Sequence, residues 1–138
     1  LYVFSRDEVQ KYWEELEPFI MRSVAISAGT LNMQGMFAAL CNGDYTAMAT
    51  LRNDTFTSVL IVEIVEYAEY GALRIVAISG KDLYSALDWL PDVEEFGSRL
   101  GAIEFEAWCR PAMVRLLRRW GWSPKLTQMV KPFRKSLQ

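Results

Sequence analysis

The sequence predicts a single α+β domain, and three observations carry that expectation. Two stretches of helical periodicity open the chain, a meander of three strands occupies its middle, and the last third runs strand, capped basic helix, closing strand. With 138 residues, 51% of them apolar, the chain is long enough for one two-layer core and too short for two ordinary domains.

Each element has its own signature. Leu1 to Phe4 reads as an edge strand. Ser5-Arg-Asp-Glu8 has the form of a capping box, and Val9, Tyr12, Trp13, Leu16 and Ile20 follow at helical spacing, so a helix starts near Arg6. Pro18 is expected to bend that helix or begin a second one, since a proline inside a helix costs roughly 3 kcal/mol. A second helix is expected from Asn32 to Cys41, capped by Asn32, striped by Met33, Met36, Phe37 and Leu40, and closed by Gly43.

The meander comprises Tyr45 to Arg52, a turn at Asn53-Asp54, the long β-branched run Phe56 to Glu66, and Leu73 to Ser79. Val59 to Val65 is apolar on both faces, which places that strand centrally with cover on each side. Lys81 to Leu100 reads as helical, with a new segment beginning at Leu90-Pro91 and a buried face of Leu83, Leu87, Val93, Phe96 and Leu100. From Ala102 to Cys109, apolar Ile103, Phe105, Ala107 and Cys109 alternate with Glu104, Glu106 and Trp108. Pro111 then opens a helix carrying Met113, Leu116, Leu117 and Trp120, and Gly121 ends it.

Composition removes several kinds of chemistry. Histidine is absent, which excludes Ser-His and Cys-His pairs, imidazole bases and His-containing zinc sites. No metal is expected. Cys41 and Cys109 have neither metal nor redox spacing and read as buried free thiols of a reducing compartment. The longest aliphatic run, Val59 to Val62, is far short of the ~20 residues that span a bilayer, and Leu1 follows no basic n-region, so a soluble protein without a secretory signal is expected.

Charge is segregated along the chain. Leu1 to Ser98 holds six basic residues against fifteen acidic, a net −9, while Arg99 to Gln138 holds nine against two, a net +7. Such asymmetry suits head-to-tail protein contacts or an anion. Arg115, Arg118 and Arg119 fall opposite the apolar stripe of their helix, and with Arg134 they form the candidate partner-binding surface. Nucleic acid is the lesser expectation, because the acidic part repels phosphate and few aromatic residues are free to stack on bases.

The order of elements resembles the GCN5-related N-acetyltransferase (GNAT) fold, especially small phage-encoded proteins of that superfamily. The residues that carry the likeness lie between Gly101 and Phe133: the Glu-bearing strand, the Arg-Pro and Arg-rich helix, Gly121-Trp122 in place of a Gly-Phe pair, and Val130-Lys131-Pro132. The resemblance implies a GNAT-like central mixed β-sheet flanked by helices, in which Leu73 to Ser79 and Ala102 to Cys109 run parallel across a right-handed helical crossover.

The resemblance also implies a site for acetyl-CoA, and the sequence departs from it. Active relatives cradle the pyrophosphate on a glycine-rich turn, where closely approaching backbone N–H groups neutralise the anion. Here the corresponding piece is Ile78-Ser-Gly-Lys-Asp-Leu-Tyr84, with one glycine, Gly80, and the adverse charge of Asp82. The positions of the family's Asn and acidic Tyr hold Arg110 and Leu117. If the protein is active, Gly80 and Lys81 are the cofactor-binding candidates, and Glu63 and Glu104 are the candidate bases among the strand carboxylates that include Glu66 and Glu106.

These departures lead to the expectation of a non-catalytic phage-type protein. It would act through contacts with other protein subunits as a virion or capsid-associated component, possible homo-oligomer included, in the virion or host cytoplasm. The alternative is an acyl-CoA-dependent N-acetyltransferase with a diverged cofactor loop, so the sequence leaves enzyme or non-enzyme open.

Overall fold

The structure, a computed structural model, describes residues 1–81 and 86–134, without the side chains of 86 and 87. The chain forms two compact units, Leu1–Trp108 and Cys109–Gln138. In the first, the elements are β1 (Tyr2–Val3), α1 (Arg6–Lys11), α2 (Trp13–Ala25), α3 (Met33–Asn42), β2 (Thr46–Arg52), β3 (Thr55–Glu66), β4 (Gly71–Gly80), α4 (Ala86–Arg99) and β5 (Ala102–Ala107). The second holds α5 (Pro111–Arg119).

The five strands lie in sequence order in one sheet. Neighbours from β1 to β4 are antiparallel, and β4 pairs with β5 in parallel. Short turns enforce the antiparallel pairing of β2, β3 and β4, β1 reaches β2 only after α1, α2 and α3, and the segment carrying α4 permits the parallel pair. The central mixed sheet and the parallel last pair are as the sequence led us to expect.

The N-terminal helices form because their ends are satisfied locally. Ser5 Oγ accepts the Glu8 amide at 3.3 Å and Glu8 Oε1 accepts the Ser5 amide at 3.0 Å, completing the capping box. Asn32 Oδ1 accepts the Gly35 amide at 2.7 Å to start α3, and Gly43 ends it with φ +88°. The break between α1 and α2 falls at Tyr12, not at Pro18. Pro18 lies inside α2 on its exposed side, where the carbonyl left without a donor is that of exposed Glu14 and can turn to water.

These helices bury Val9, Leu16, Ile20, Met36 and Leu40 in one core with Ala47, Ala49, Val59, Ile61 and Ala77 of the sheet. Each fully buried Leu, Ile or Met contributes about 1.5–3 kcal/mol to that packing. Ser58 to Val62 is buried throughout, consistent with the central position expected of β3.

Helix α4 runs unbroken through Pro91, which sits on its exposed side near the helix start, so no new segment begins at Leu90-Pro91. Its buried face is Trp89, Val93 and Gly97, with Phe96 half-buried. Gly97 is pressed onto β4: a Cβ there would stand 2.9 Å from Leu73 Cδ1. Leu100, expected on the same face, is 54% exposed because the helix ends at Arg99 and the chain turns away. Leu83 and the Leu87 side chain lie outside the described residues.

In the second unit, Arg110 stands at the N-cap of α5, Pro111 at its first turn, and Gly121 follows its end with φ +89°. Residues 123–134 are exposed and form no regular element, so the closing strand expected around Val130-Lys131-Pro132 is not formed. Pro124 and Pro132 have no N–H to give a ladder. The cysteines also differ from expectation: both are free, but Cys41 is half-buried and Cys109 is exposed, because β5 stops at Ala107 before reaching it.

Candidate functional site

Strand β4 is where the sheet changes character. Ile61 pairs with Ala77 and Val62 with Ile75, so Val76 is an extra residue that bulges β4. The parallel pairing to β5 stops at the same level, at Ile75 opposite Ala107, while β4 continues to Gly80. Among the described residues no strand covers β4 on that side beyond Ile75. The two strands therefore make a fork that opens toward the C-terminal end of β4. A second irregularity, at the start of β5, makes Ile103 the unpaired extra residue and turns it out, 76% exposed, against the period-two expectation.

At the base of the fork lies a row of charge. Glu63, Arg74 and Glu106 are direct register partners on β3, β4 and β5, so their side chains share one face. Arg74 Nη1 donates to Glu63 Oε1 at 2.9 Å and Arg74 Nε to Glu106 Oε1 at 3.1 Å. The Tyr67 hydroxyl lies 2.9 and 2.7 Å from the two Glu106 oxygens and donates to that carboxylate. The Trp108 ring stacks on the guanidinium, 4.7 Å from Cζ to centroid.

The row perturbs its members in definite directions. The Glu106 hydrogen bond, with burial, raises the Tyr67 phenol above its usual value, against a smaller opposing effect of Arg74. Burial alone would lower Arg74, but Tyr67, Glu106 and Glu63 outweigh it and its value rises. Tyr45 is raised chiefly by burial and next by Glu63.

The expected site residues fall in different places. Glu63 is held in the row by Arg74, whereas Glu104 is exposed and sits across from Ala72, two residues from Glu106 along β5. Gly80 is the last residue of β4, at φ +155°, and a Cβ on it would lie 2.3 Å from Ser58 Cβ. The Lys81 amide donates to the Thr57 carbonyl at 3.1 Å. Asp82 lies outside the described residues. Arg115, Arg118 and Arg119 are exposed along one face of α5, and Arg134 is exposed in the irregular stretch beyond it. No group of three acidic or cysteine side chains able to hold a metal occurs among the described residues.

Sequence reading did not find Arg74, Tyr67 and Trp108 as the surroundings of Glu63 and Glu106. A signal was present. Glu63 and Arg74 each interrupt an apolar run, and counting back three residues on either side of Glu66 and Gly71, which flank the turn, sets them face to face.

No protein-family profile and no curated protein matches the sequence. Solved structures do match. One is an aminoglycoside acetyltransferase from an uncultured soil metagenomic sample, with TM-score 0.67 and 14% identity over 96% of each chain. Another is the aminoglycoside N-acetyltransferase AAC(6')-Iy in complex with CoA, with TM-score 0.67 and 10% identity over 96% of this chain and 93% of that one. A third is a ribosomal-protein-alanine N-acetyltransferase from Brucella melitensis biovar Abortus 2308, with TM-score 0.62 and 12% identity over 95% and 97%. Identity this low speaks to architecture. The chain has the fold of the GNAT acetyltransferases.

Proposed function

We propose that this protein is an N-acyltransferase that takes its acyl group from acyl-CoA and has a diverged phosphate loop. The observation that carries the reading is the fork, where β4 parts from β5 at Ile75 and runs on to Gly80 with an open edge. An extended polar arm such as pantetheine can add to that edge through backbone groups, as a strand would. The fit is poorer toward the phosphates. The Lys81 amide is committed to Thr57 and Gly80 serves close packing on Ser58, so the exposed Lys81 ammonium, not a backbone cradle, is what these two residues offer an anion.

The transfer joins a neutral amine nitrogen to the thioester carbonyl carbon. The carbon–sulfur bond breaks, sulfur leaves as thiolate, and the amine gives up a proton. Glu63 and Glu106 carry more charge than Arg74 cancels, which draws a protonated amine toward the fork. Glu63 and Glu104 are the candidates to take its proton. The sequence carries Leu117 where the resemblance implies an acidic Tyr, and the thiolate takes its proton from solvent.

The test incubates the protein with acetyl-CoA and a panel of amines, and looks for acetylated product by mass spectrometry. We expect product from a cationic amine and a CoA dissociation constant on the order of 0.1–1 mM, weaker than a full phosphate cradle gives. No product, together with no binding at about 5 mM, would overturn the reading. The second reading is then a non-catalytic protein acting through protein contacts, as in a virion. It is favoured by the opposite charges of the two units, seventeen acidic against seven basic residues in one and eight basic with no acidic in the other. On that reading Arg-to-Glu changes at Arg115, Arg118 and Arg119 abolish association with an acidic partner surface.

A further inference from the structure

A cavity lies in the first unit, away from the charged row, between the α1–α2 helices and the β2–β3 hairpin. It has a volume of about 510 Å³, within the range of small-molecule sites. Its wall is aromatic: Phe4 stands at the centre of a cluster with Tyr2, Tyr12 and Phe56, at ring-centroid distances of 4.8, 5.7 and 5.5 Å. Glu15 of α2 and Asp54 of the hairpin turn are the charged residues of the lining, and it contains no lysine or arginine. Among the described residues neither carboxylate takes part in an ion pair.

We infer that this cavity binds an organic ammonium ion, a positively charged nitrogen attached to an apolar body. Aromatic rings present a negative face that holds such a cation more strongly than a neutral ligand of the same shape, and the two carboxylates add charge of the same sign. The cluster already takes a cation at its edge, since Lys11 Nζ lies 5.3 Å from the centre of the Tyr12 ring. The surplus of ten acidic residues in Leu1–Trp108 raises the local concentration of cations. Apolar rings favour burial of the ligand body, so a bare metal ion or inorganic cation is the wrong shape of ligand.

The decisive experiment is a calorimetric titration at pH 7 with 2-phenylethylammonium and, separately, with 2-phenylethanol, which keeps the body and removes the charge. The ammonium ion should bind at least about tenfold more tightly than the alcohol, and Glu15→Gln with Asp54→Asn should erase that preference. Both carboxylates are exposed and the amide at position 54 suits its positive φ of 62°, so the double variant keeps the fold. Tyr12→Leu should weaken the ammonium ion by about tenfold, and if that variant does not fold, the carboxylate pair decides alone. Equal affinity for the two probes, a preference that survives in the double variant, or no binding of either at about 10 mM would overturn the inference. No CoA is present in the titration, so its outcome is read independently of acyl transfer.

Discussion

Replacing Arg74 by methionine tests the charged row directly. Methionine keeps an apolar stem of similar reach and removes the guanidinium, so Glu63 and Glu106 are left side by side without their shared cation. Each of the three side chains is about one-fifth exposed, so solvent screens the pairs, and each is worth about 0.5–1 kcal/mol. Loss of the Trp108 stacking removes about 0.5–1 kcal/mol more. The total of about 2 kcal/mol corresponds to a fall in Tm of roughly 5–8 °C for a domain of this size. Differential scanning calorimetry at pH 7 and low salt reads that shift, and 1 M NaCl should narrow it because part of the loss is screened charge. A variant melting within about 1 °C of the wild type would refute the claim that this row ties β3, β4 and β5 together.

Three further substitutions probe other elements. Gly80→Ala forces a Cβ to within 2.3 Å of Ser58 Cβ at φ +155°, and should cost about 3 kcal/mol or more by urea denaturation. Asn32→Ala removes the side-chain acceptor for the Gly35 amide and should cost about 1 kcal/mol in the same assay. For Tyr67→Phe the effect depends on pH. The folded-state pKa of Tyr67 is raised above the ordinary value of 10.0, so its stabilising contribution is fully present below pH 10 and is lost as pH rises through the folded value. The wild type should therefore exceed Tyr67→Phe in stability at pH 8 and lose that advantage in the alkaline range, and an advantage independent of pH would contradict the Tyr67–Glu106 hydrogen bond.

What was legible in the sequence was whatever a short window specifies. The capping box at Ser5, the Asn32 cap and the Asn53-Asp54 turn are local, and the structure has them all. The prolines misled for a related reason. Local preference gives a cost for Pro18 and Pro91, but tertiary packing of Leu16, Ile20, Trp89 and Val93 outweighs one missing hydrogen bond on an exposed side. Strand ends and bulges depend on register between distant segments. Hence local periodicity sets Ile103 and Leu100 inward, carries β5 through Cys109 and does not show the row around Arg74. Gly80 and Lys81 fall at the end of β4, and what holds them there, Ser58 and the Thr57 carbonyl, comes from β3.

The shortness of the parallel β4–β5 pairing bears on how the chain reaches this state. Strands β2, β3 and β4 follow one another through tight turns and can zip together early, at small loop-closure cost. β5 arrives only after the whole crossover segment has been made, and then gains five residue pairs, Gly71 with Ala102 through Ile75 with Ala107. Until it docks, the Gly71–Ile75 edge of β4 is a row of open backbone groups flanked by the apolar side chains of Leu73 and Ile75. During synthesis that interval is the moment of greatest exposure to mispairing with another chain, and chaperones would have most to protect at the edge of β4.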